Sequence, residues 1–480
     1  MQQIHHYIGG TWQAPTQGIY LPVYAPATGT QYADLANGSE EDVATAIAAA
    51  TKAFAPWAAT PPEVRAALLR RIATLIEARS EALAQAESQD TGKPLSLARQ
   101  MDIPRAAKNF AFYASALEQH ASQAYQSNAS LLNYTLYQPL GVVACISPWN
   151  LPLYLLSWKI APALAAGNAV IAKPSELSPL TAHLLSEICQ EAGLPAGVLN
   201  ILHGEGTQVG AALVGHPAIK AVSFTGGTAT GGKIAQITAP SFKKLSLEMG
   251  GKNACILFAD ADYAEALPQI VRAAFSNQGQ ICLCTSRIFV ERSLYERFKE
   301  DFTAAVKQMS VGDPLLPDTQ VGALISAAHQ QKVLDYIALA KAEGGKILCG
   351  GEKIQAKGRC AQGYFVAPTV IEGLPFDCRS NQEEIFGPVV SISPFDSEEE
   401  VLHYANSVRY GLAASLWTGQ LSRAHRMAAA LEAGIVWINC WLQRDLRTPF
   451  GGMKDSGLGR EGGFEALEFF MEKKNVCLKI

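Results

Sequence analysis

Three residue types at three places in this 480-residue chain could do chemistry together. The first is Cys282, which ends the segment Asn277-Gln-Gly-Gln-Ile-Cys282. A cysteine just past a glycine turn sits where backbone amides can point at it, stabilising a thiolate and any oxyanion beside it. A single cysteine is more often a small buried hydrophobe, so its company decides the matter. Glu248 stands alone at the end of the apolar run Leu245-Ser-Leu-Glu248, just before Gly250-Gly251. A carboxylate in such surroundings is desolvated, raised in pKa and suited to general-base work. The third residue is Asn150, in Ser147-Pro-Trp-Asn150 directly after the apolar run ending at Ile146, where it offers an amide donor.

Glycine-rich stretches could add a phosphate site. Gly204-Glu-Gly206-Thr-Gln-Val-Gly210 follows a strand-like run, but its last glycine falls one residue later than the dinucleotide fingerprint requires. Gly227-Thr-Ala-Thr-Gly-Gly-Lys233 has the spacing of a P-loop, yet Ile234 stands where Ser or Thr must hold magnesium, which excludes ATP hydrolysis. The turn Phe224-Thr-Gly226-Gly227-Thr still joins a strand to a helix, and a helix N-terminus there can host a pyrophosphate through its free N–H groups.

The elements that must position these residues follow from periodicity. Ser39-Glu-Glu-Asp42 predicts a helix N-cap with an acidic first turn, and residues 61–86 and a stretch from about Pro104 repeat apolar residues at helical spacing. Short apolar runs then alternate with helical stretches: 141–146, 169–172, 198–202 and 221–224, and a second set at 254–258, 287–290, 389–392 and 434–439. This alternation predicts two α/β domains with parallel sheets, meeting near Gly250-Gly251. Residues 131–137 and the tail 475–480 predict strands with exposed edges, suited either to pairing with another chain or to covering the core as a hairpin.

Composition narrows the class. A formal net charge of −4 gives no electrostatic footprint for nucleic acid or an anionic membrane. No run approaches the ~20 apolar residues of a membrane span, the N-terminus does not read as a signal peptide, and ten scattered cysteines fit a reducing, cytoplasmic compartment. No metal site is expected.

The stretches 147–150, 173–176, 248–252, 278–282, 384–388 and 449–452 together resemble the aldehyde dehydrogenase superfamily, in order and over nearly the whole chain. The resemblance implies an aldehyde dehydrogenase-like α/β fold: a Rossmann-like NAD-binding domain (residues 1–122 and 141–250), a catalytic domain (251–442), an oligomerisation arm and tail (123–140 and 466–480) and a substrate loop (443–465). It implies Cys282 as nucleophile, Glu248 as the base that activates water, and an oxyanion hole of the Asn150 side chain and the Cys282 N–H. Ile146, Ser147, Trp149, Lys173, Ser175, Glu176, Gly206, Phe224, Gly226, Gly227, Glu384 and Phe386 would hold the cofactor, and Glu461 would pass protons away from the base. Glu248 favours an acid over an acyl-CoA as product. Glu176 favours NAD over NADP, because a carboxylate repels a 2′-phosphate. The chain departs from the family at Gly227 and Ala229, where Ser and Glu are usual, which removes a hydroxyl contact to the pyrophosphate.

For the substrate, Arg444 stands where related enzymes for aliphatic or aromatic aldehydes commonly place an apolar or aromatic residue, and Arg105 lies on the helix that lines the same channel in relatives. Two arginines facing an aldehyde pocket imply a substrate with its own carboxylate. With Trp158 and Phe450 as neighbouring walls, these segments look most like the 2-aminomuconate and 2-hydroxymuconate 6-semialdehyde dehydrogenase branch. A broader aldehyde dehydrogenase and an inactive binding protein on the same fold stay open, and a homodimer or homotetramer is expected.

Overall fold

The computed structural model describes residues 2–479. Most of the apolar runs become strands of two large sheets. The first has eight strands in the spatial order Gly457–Leu458, Lys244–Glu248, Ile219–Thr225, Val142–Ile146, Ala169–Lys173, Leu199–Ile201, His6–Ile8 and Thr11–Gln13. Its five central strands are parallel. Their side chains are almost all buried, as a sheet covered by helices on both faces requires.

The second sheet has seven strands, ordered Lys346–Cys349, Thr369–Glu372, Val389–Phe395, Thr285–Glu291, Asn253–Leu257, Ala413–Trp417 and Ile435–Ile438. Only its edge strand Lys346–Cys349 runs antiparallel. Both sheets therefore have the parallel α/β character expected from the alternating pattern.

Local signals account for the helix ends. Ser39 caps the helix Glu40–Ala58 in a capping box: the Asp42 N–H donates to Ser39 Oγ and the Ser39 N–H to Asp42 Oδ2 at 2.8 Å. The periodic stretch 61–86 forms two helices, Pro62–Ala78 and Ser80–Thr91, because Arg79 leaves helical angles (φ −104°, ψ 18°). The five short strands before residue 37 were not legible as such, and two of them extend the first sheet.

The two predicted exposed strands pair with each other. Leu131–Pro139 runs antiparallel to Met471–Lys479 from Leu131↔Lys479 to Pro139↔Met471, and Ala124–Asn128 adds a fully exposed outer strand. No helix among the described residues is long and apolar enough to cross a membrane.

What this arrangement positions is a cleft. Residues 147–150, 226–227 and 249–251 follow the carboxyl ends of parallel strands in the first sheet, the edge where open α/β sheets bind ligands. Cys282 lies just before the strand Thr285–Glu291 of the second sheet, so the loop carrying it meets that edge from the opposite side.

Candidate active site

A cleft of about 260 Å³ is lined by Trp149, Asn150, Gly227, Cys282, Glu384 and Phe386, with Gly226 beside them. It thus gathers seven of the residues singled out from the sequence. A larger cavity of about 810 Å³ reaches Asn277 but not Cys282.

The cysteine loop is held in an unusual backbone conformation. Asn277, Gln278 and Gly279 follow one another at φ 51°, 56° and 69°, all left-handed. Side chains secure this turn: Asn277 Nδ2 donates to the Asn150 and Gln280 carbonyls (3.1 and 3.2 Å), and Gln278 Nε2 to the Ala323 carbonyl at 3.0 Å. Asn253 fixes the other end, its Nδ2 donating to the carbonyls of Cys282 (2.7 Å) and Cys284 (2.9 Å). Asn150 uses one N–H on the Gln280 carbonyl at 2.9 Å, so its second N–H is free for an oxyanion. Burial, followed by the Glu384 and Glu248 carboxylates, pushes the Cys282 thiol well above its ordinary range.

Glu248 ends its strand fully enclosed, and neither carboxylate oxygen has a hydrogen-bond partner. Burial first and the Glu461 carboxylate second push its pKa well above the usual range, while Lys159, Arg460 and Arg444 oppose this. Glu461 is itself paired: Lys159 Nζ lies 2.5 Å from Glu461 Oε1 and 3.2 Å from Ser223 Oγ, and Ser223 Oγ donates to the same carboxylate at 3.1 Å. Lys159 belongs to a helix whose every residue is buried, and a buried ammonium requires such a partner. The lone lysine in an apolar run was the signal for this pair, but its partner lies 302 residues away.

The remaining residues fit a dinucleotide. The helix Thr228–Thr238 opens at Gly227 with no side-chain cap, and a Cβ at Gly227 or Gly206 would meet nothing within 4 Å, leaving room for a phosphate against the backbone. Ser147 Oγ and Thr225 Oγ1 are buried without partners, as groups awaiting a ligand would be. Lys173 Nζ lies 3.3 Å from Glu176, a pair suited to ribose hydroxyls. Ser175 instead accepts the Leu177 N–H in a local turn. Ile146 and Phe224 are buried strand residues, with Gly226 packed under the Phe224 ring. Glu384 accepts the Gly251 N–H at 3.0 Å, and a Cβ on Gly250 would lie 2.1 Å from its carboxylate, so a side chain there would push Glu384 aside.

The two arginines converge on one ring. The Arg105 and Arg444 guanidinium carbons lie 4.2 and 4.7 Å from the Trp158 centroid, and Arg444 also lies 4.0 Å from that of Phe450. Phe450 is set by its backbone pairing with Glu461. Neither neighbouring carboxylate is spent on these arginines: Asp102 is buried against Lys93 at 2.6 Å, and Asp445 pairs with Arg447 at 2.6 Å. Arg105 donates to Asn109 at 2.9 Å, yet its Nη2 is buried without a partner. Burial and the nearby Arg444 charge lower the Arg105 pKa to about 10.

Comparison with known proteins agrees with this geometry. The model of the aldehyde dehydrogenase family matches residues 12–476. The 2-aminomuconic semialdehyde dehydrogenase of Bos taurus is 50% identical over 479 residues, covering 99% of this chain and 98% of that protein. The 2-hydroxymuconic semialdehyde dehydrogenase of Pseudomonas sp. (strain CF600) is 45% identical over 486 residues and the whole of both chains. An NAD+ complex of a Bacillus cereus aldehyde dehydrogenase superposes with a TM-score of 0.97 at 40% identity, covering 100% of this chain and 97% of that one. A cleft that brings a cysteine loop to an amide donor is therefore found in a chain that belongs to the aldehyde dehydrogenase family.

Proposed function

We propose that this enzyme oxidises a carboxylate-bearing semialdehyde, 2-aminomuconate or 2-hydroxymuconate 6-semialdehyde, to the dicarboxylate with NAD. The observation that carries the substrate class is the pair Arg105 and Arg444, two cations packed on Trp158 with no carboxylate partner among the described residues. Their mutual repulsion in a half-buried pocket is relieved when an anion arrives, and a guanidinium matches a carboxylate bidentately. The Arg444 charge is also felt by Cys282 and Glu248, which supports a carboxylate anchor near the reacting centre. The names of the relatives from Bos taurus and Pseudomonas support the same class.

In this reading the Cys282 thiol gives its proton to water, and its Sγ adds to the aldehyde carbon as the carbonyl π bond opens onto oxygen. The resulting oxyanion accepts hydrogen bonds from Asn150 Nδ2 and the Cys282 N–H. NAD, when bound, supplies the acceptor for the hydride that leaves this carbon. Collapse of the oxyanion leaves a thioester on Cys282. Glu248 then takes a proton from the attacking water, and the thiol leaves as the acid forms. Lys159 and Glu461 lie beyond Glu248 as the route by which that proton departs. Lys173 and Glu176 hold the adenosine ribose, the Gly227 helix end the pyrophosphate, and Glu384 with Phe386 the nicotinamide ribose.

The wider assignments keep the same basis. Residues 1–122 and 141–250 form the cofactor domain, 251–442 the catalytic domain, 443–465 the substrate loop, and 123–140 with 466–480 an arm that joins a homodimer or homotetramer. Ten unpaired cysteines support a cytoplasmic setting.

The test compares kcat/KM for 2-hydroxymuconate 6-semialdehyde and for an uncarboxylated unsaturated aldehyde of similar length, in wild type and Arg444→Ala. A charged hydrogen-bonded pair contributes ~1.5–3 kcal/mol, so a roughly 10- to 100-fold preference is expected in wild type and should shrink in the variant. Equal rates on both aldehydes in the wild type would return the enzyme to a general aldehyde dehydrogenase.

A further inference from the structure

Two residues of the cleft, His329 and Lys332, had no sequence signal. His329 lies in the first turn of the helix Ala327–Ala342, where its N–H donates to the N-cap Ser326 Oγ at 3.1 Å. Its ring Nε2 lies 2.7 Å from the backbone carbonyl of Phe386. A carbonyl only accepts, so Nε2 carries the proton and donates. Phe386 has φ 61°, a left-handed backbone that a bulky residue adopts only when its surroundings hold it there.

The three rings of this corner pack edge to face. His329 and Trp149 centroids are 5.3 Å apart at 64°, Trp149 and Phe386 5.4 Å apart at 88°, and His329 and Phe386 6.3 Å apart at 71°. Trp149 follows a strand of the first sheet, Phe386 precedes a strand of the second and His329 lies on the helix Ala327–Ala342, and all three line the cleft. One turn further along the same helix, Lys332 Nζ reaches the Glu384 carbonyl at 3.4 Å. The helix thus grips the backbone of both residues assigned to the nicotinamide ribose. Gly387, next in the chain, presses its carbonyl against the cysteine loop, within 2.1 Å of where a Cβ on Gly279 would stand.

We propose that His329 is a positioning residue for the nicotinamide half of NAD, its Nε2–H holding Phe386 in the left-handed backbone that sets the aromatic wall against the cofactor. The inference rests on the assignment of Glu384 and Phe386 to the cofactor. Without the donor, Phe386 relaxes toward negative φ, the 386–387 peptide turns, and the wall loosens. Burial pushes the His329 pKa down to about 4, so the ring stays neutral and the bond persists through the working pH range.

The test measures NAD dissociation constants of the full-length protein by tryptophan fluorescence quenching, together with KM for the aldehyde, in wild type, His329→Phe and His329→Gln. Loss of one buried hydrogen bond and its strained backbone should weaken NAD roughly 10-fold in His329→Phe, with KM for the aldehyde unchanged. His329→Gln, whose amide N–H can reach the carbonyl, should restore most of the affinity. A variant that merely disturbed packing would shift both constants, and glutamine would not rescue it. If His329→Phe does not fold, His329→Asn serves, since its shorter amide falls short of the carbonyl and the same loss is expected. Wild-type NAD affinity in whichever of these two variants folds overturns this inference alone. A wild-type protein that binds no NAD overturns the cofactor assignment and this inference with it.

Discussion

Glu248 shows how one residue's surroundings set what it can do. Its carboxyl group has no hydrogen bond, is buried and feels Glu461, so the free protein holds it protonated well above the ordinary carboxylate range. A base must be ionised, so thioester hydrolysis should accelerate as pH rises through this elevated pKa. Glu248→Gln removes the base without removing the nucleophile. Its expected signature is a burst of about one NADH per active site followed by slow turnover, and loss of the rise in steady-state rate with pH. Stopped-flow absorbance at several pH values checks both, and a variant with no burst would mean that Glu248 acts before the thioester forms. Cys282, Glu248 and Asn150 were legible because each sits in a short motif of glycines or prolines whose geometry is local. Lys159–Glu461 and Asn253–Cys282 were not, because each pairs groups far apart in sequence.

Among the elements, the cysteine loop is the one whose shape depends most on a single residue type. Gly279 has φ 69°, and an added Cβ would lie 2.1 Å from the Gly387 carbonyl, a backbone atom that cannot move aside without disturbing Phe386. Gly279→Ala therefore strains the loop and the cofactor wall at once. Overpacking of this kind costs about 1–3 kcal/mol, so the variant should fold with a Tm a few degrees lower while kcat falls about 100-fold or more through misplacement of the sulfur. Circular dichroism melting and steady-state kinetics separate the two effects, and near-normal kcat would show that the loop tolerates the displacement. The larger elements were legible for the reason this loop was not. Apolar runs of four to six residues carry their own strand signal, and eight such runs reappear within the two large sheets. His6–Ile8 and Thr11–Gln13 are three residues each, too short for a period. They become strands by pairing with each other and, at Tyr7, with Ile201 nearly 200 positions later.

At the scale of the whole molecule, stability should depend on carboxyl groups sealed far from the cleft. Asp90, fully buried in the helix Ser80–Thr91, accepts the Tyr32 hydroxyl and, at 2.7 Å, the Leu180 N–H, tying the N-terminal strand Thr30–Ala36 to the helix Leu180–Ala192. Burial pushes its pKa up to about 8, and Glu87, one turn earlier beside Lys93, up to about 7. Unfolded, both lose their protons near pH 4. The folded chain therefore holds protons that the unfolded chain has released, and this contribution to stability declines as pH rises from about 4 to about 8, then levels off. The buried Lys252, pushed down to about 7, acts oppositely: above that pH the unfolded chain keeps a proton the folded one has lost, so its contribution rises. The histidines that burial lowers, His6, His183, His203 and His329, complete their effect by about pH 7, where the unfolded imidazole is neutral. Between pH 7 and 8.5 the difference between wild type and Asp90→Asn isolates Asp90. The amide keeps an oxygen for the Leu180 N–H and an N–H for the Tyr32 oxygen but cannot ionise. Tm measured across that window should fall more steeply in wild type than in the variant, and parallel profiles would mean that Asp90 keeps its charge in the folded chain.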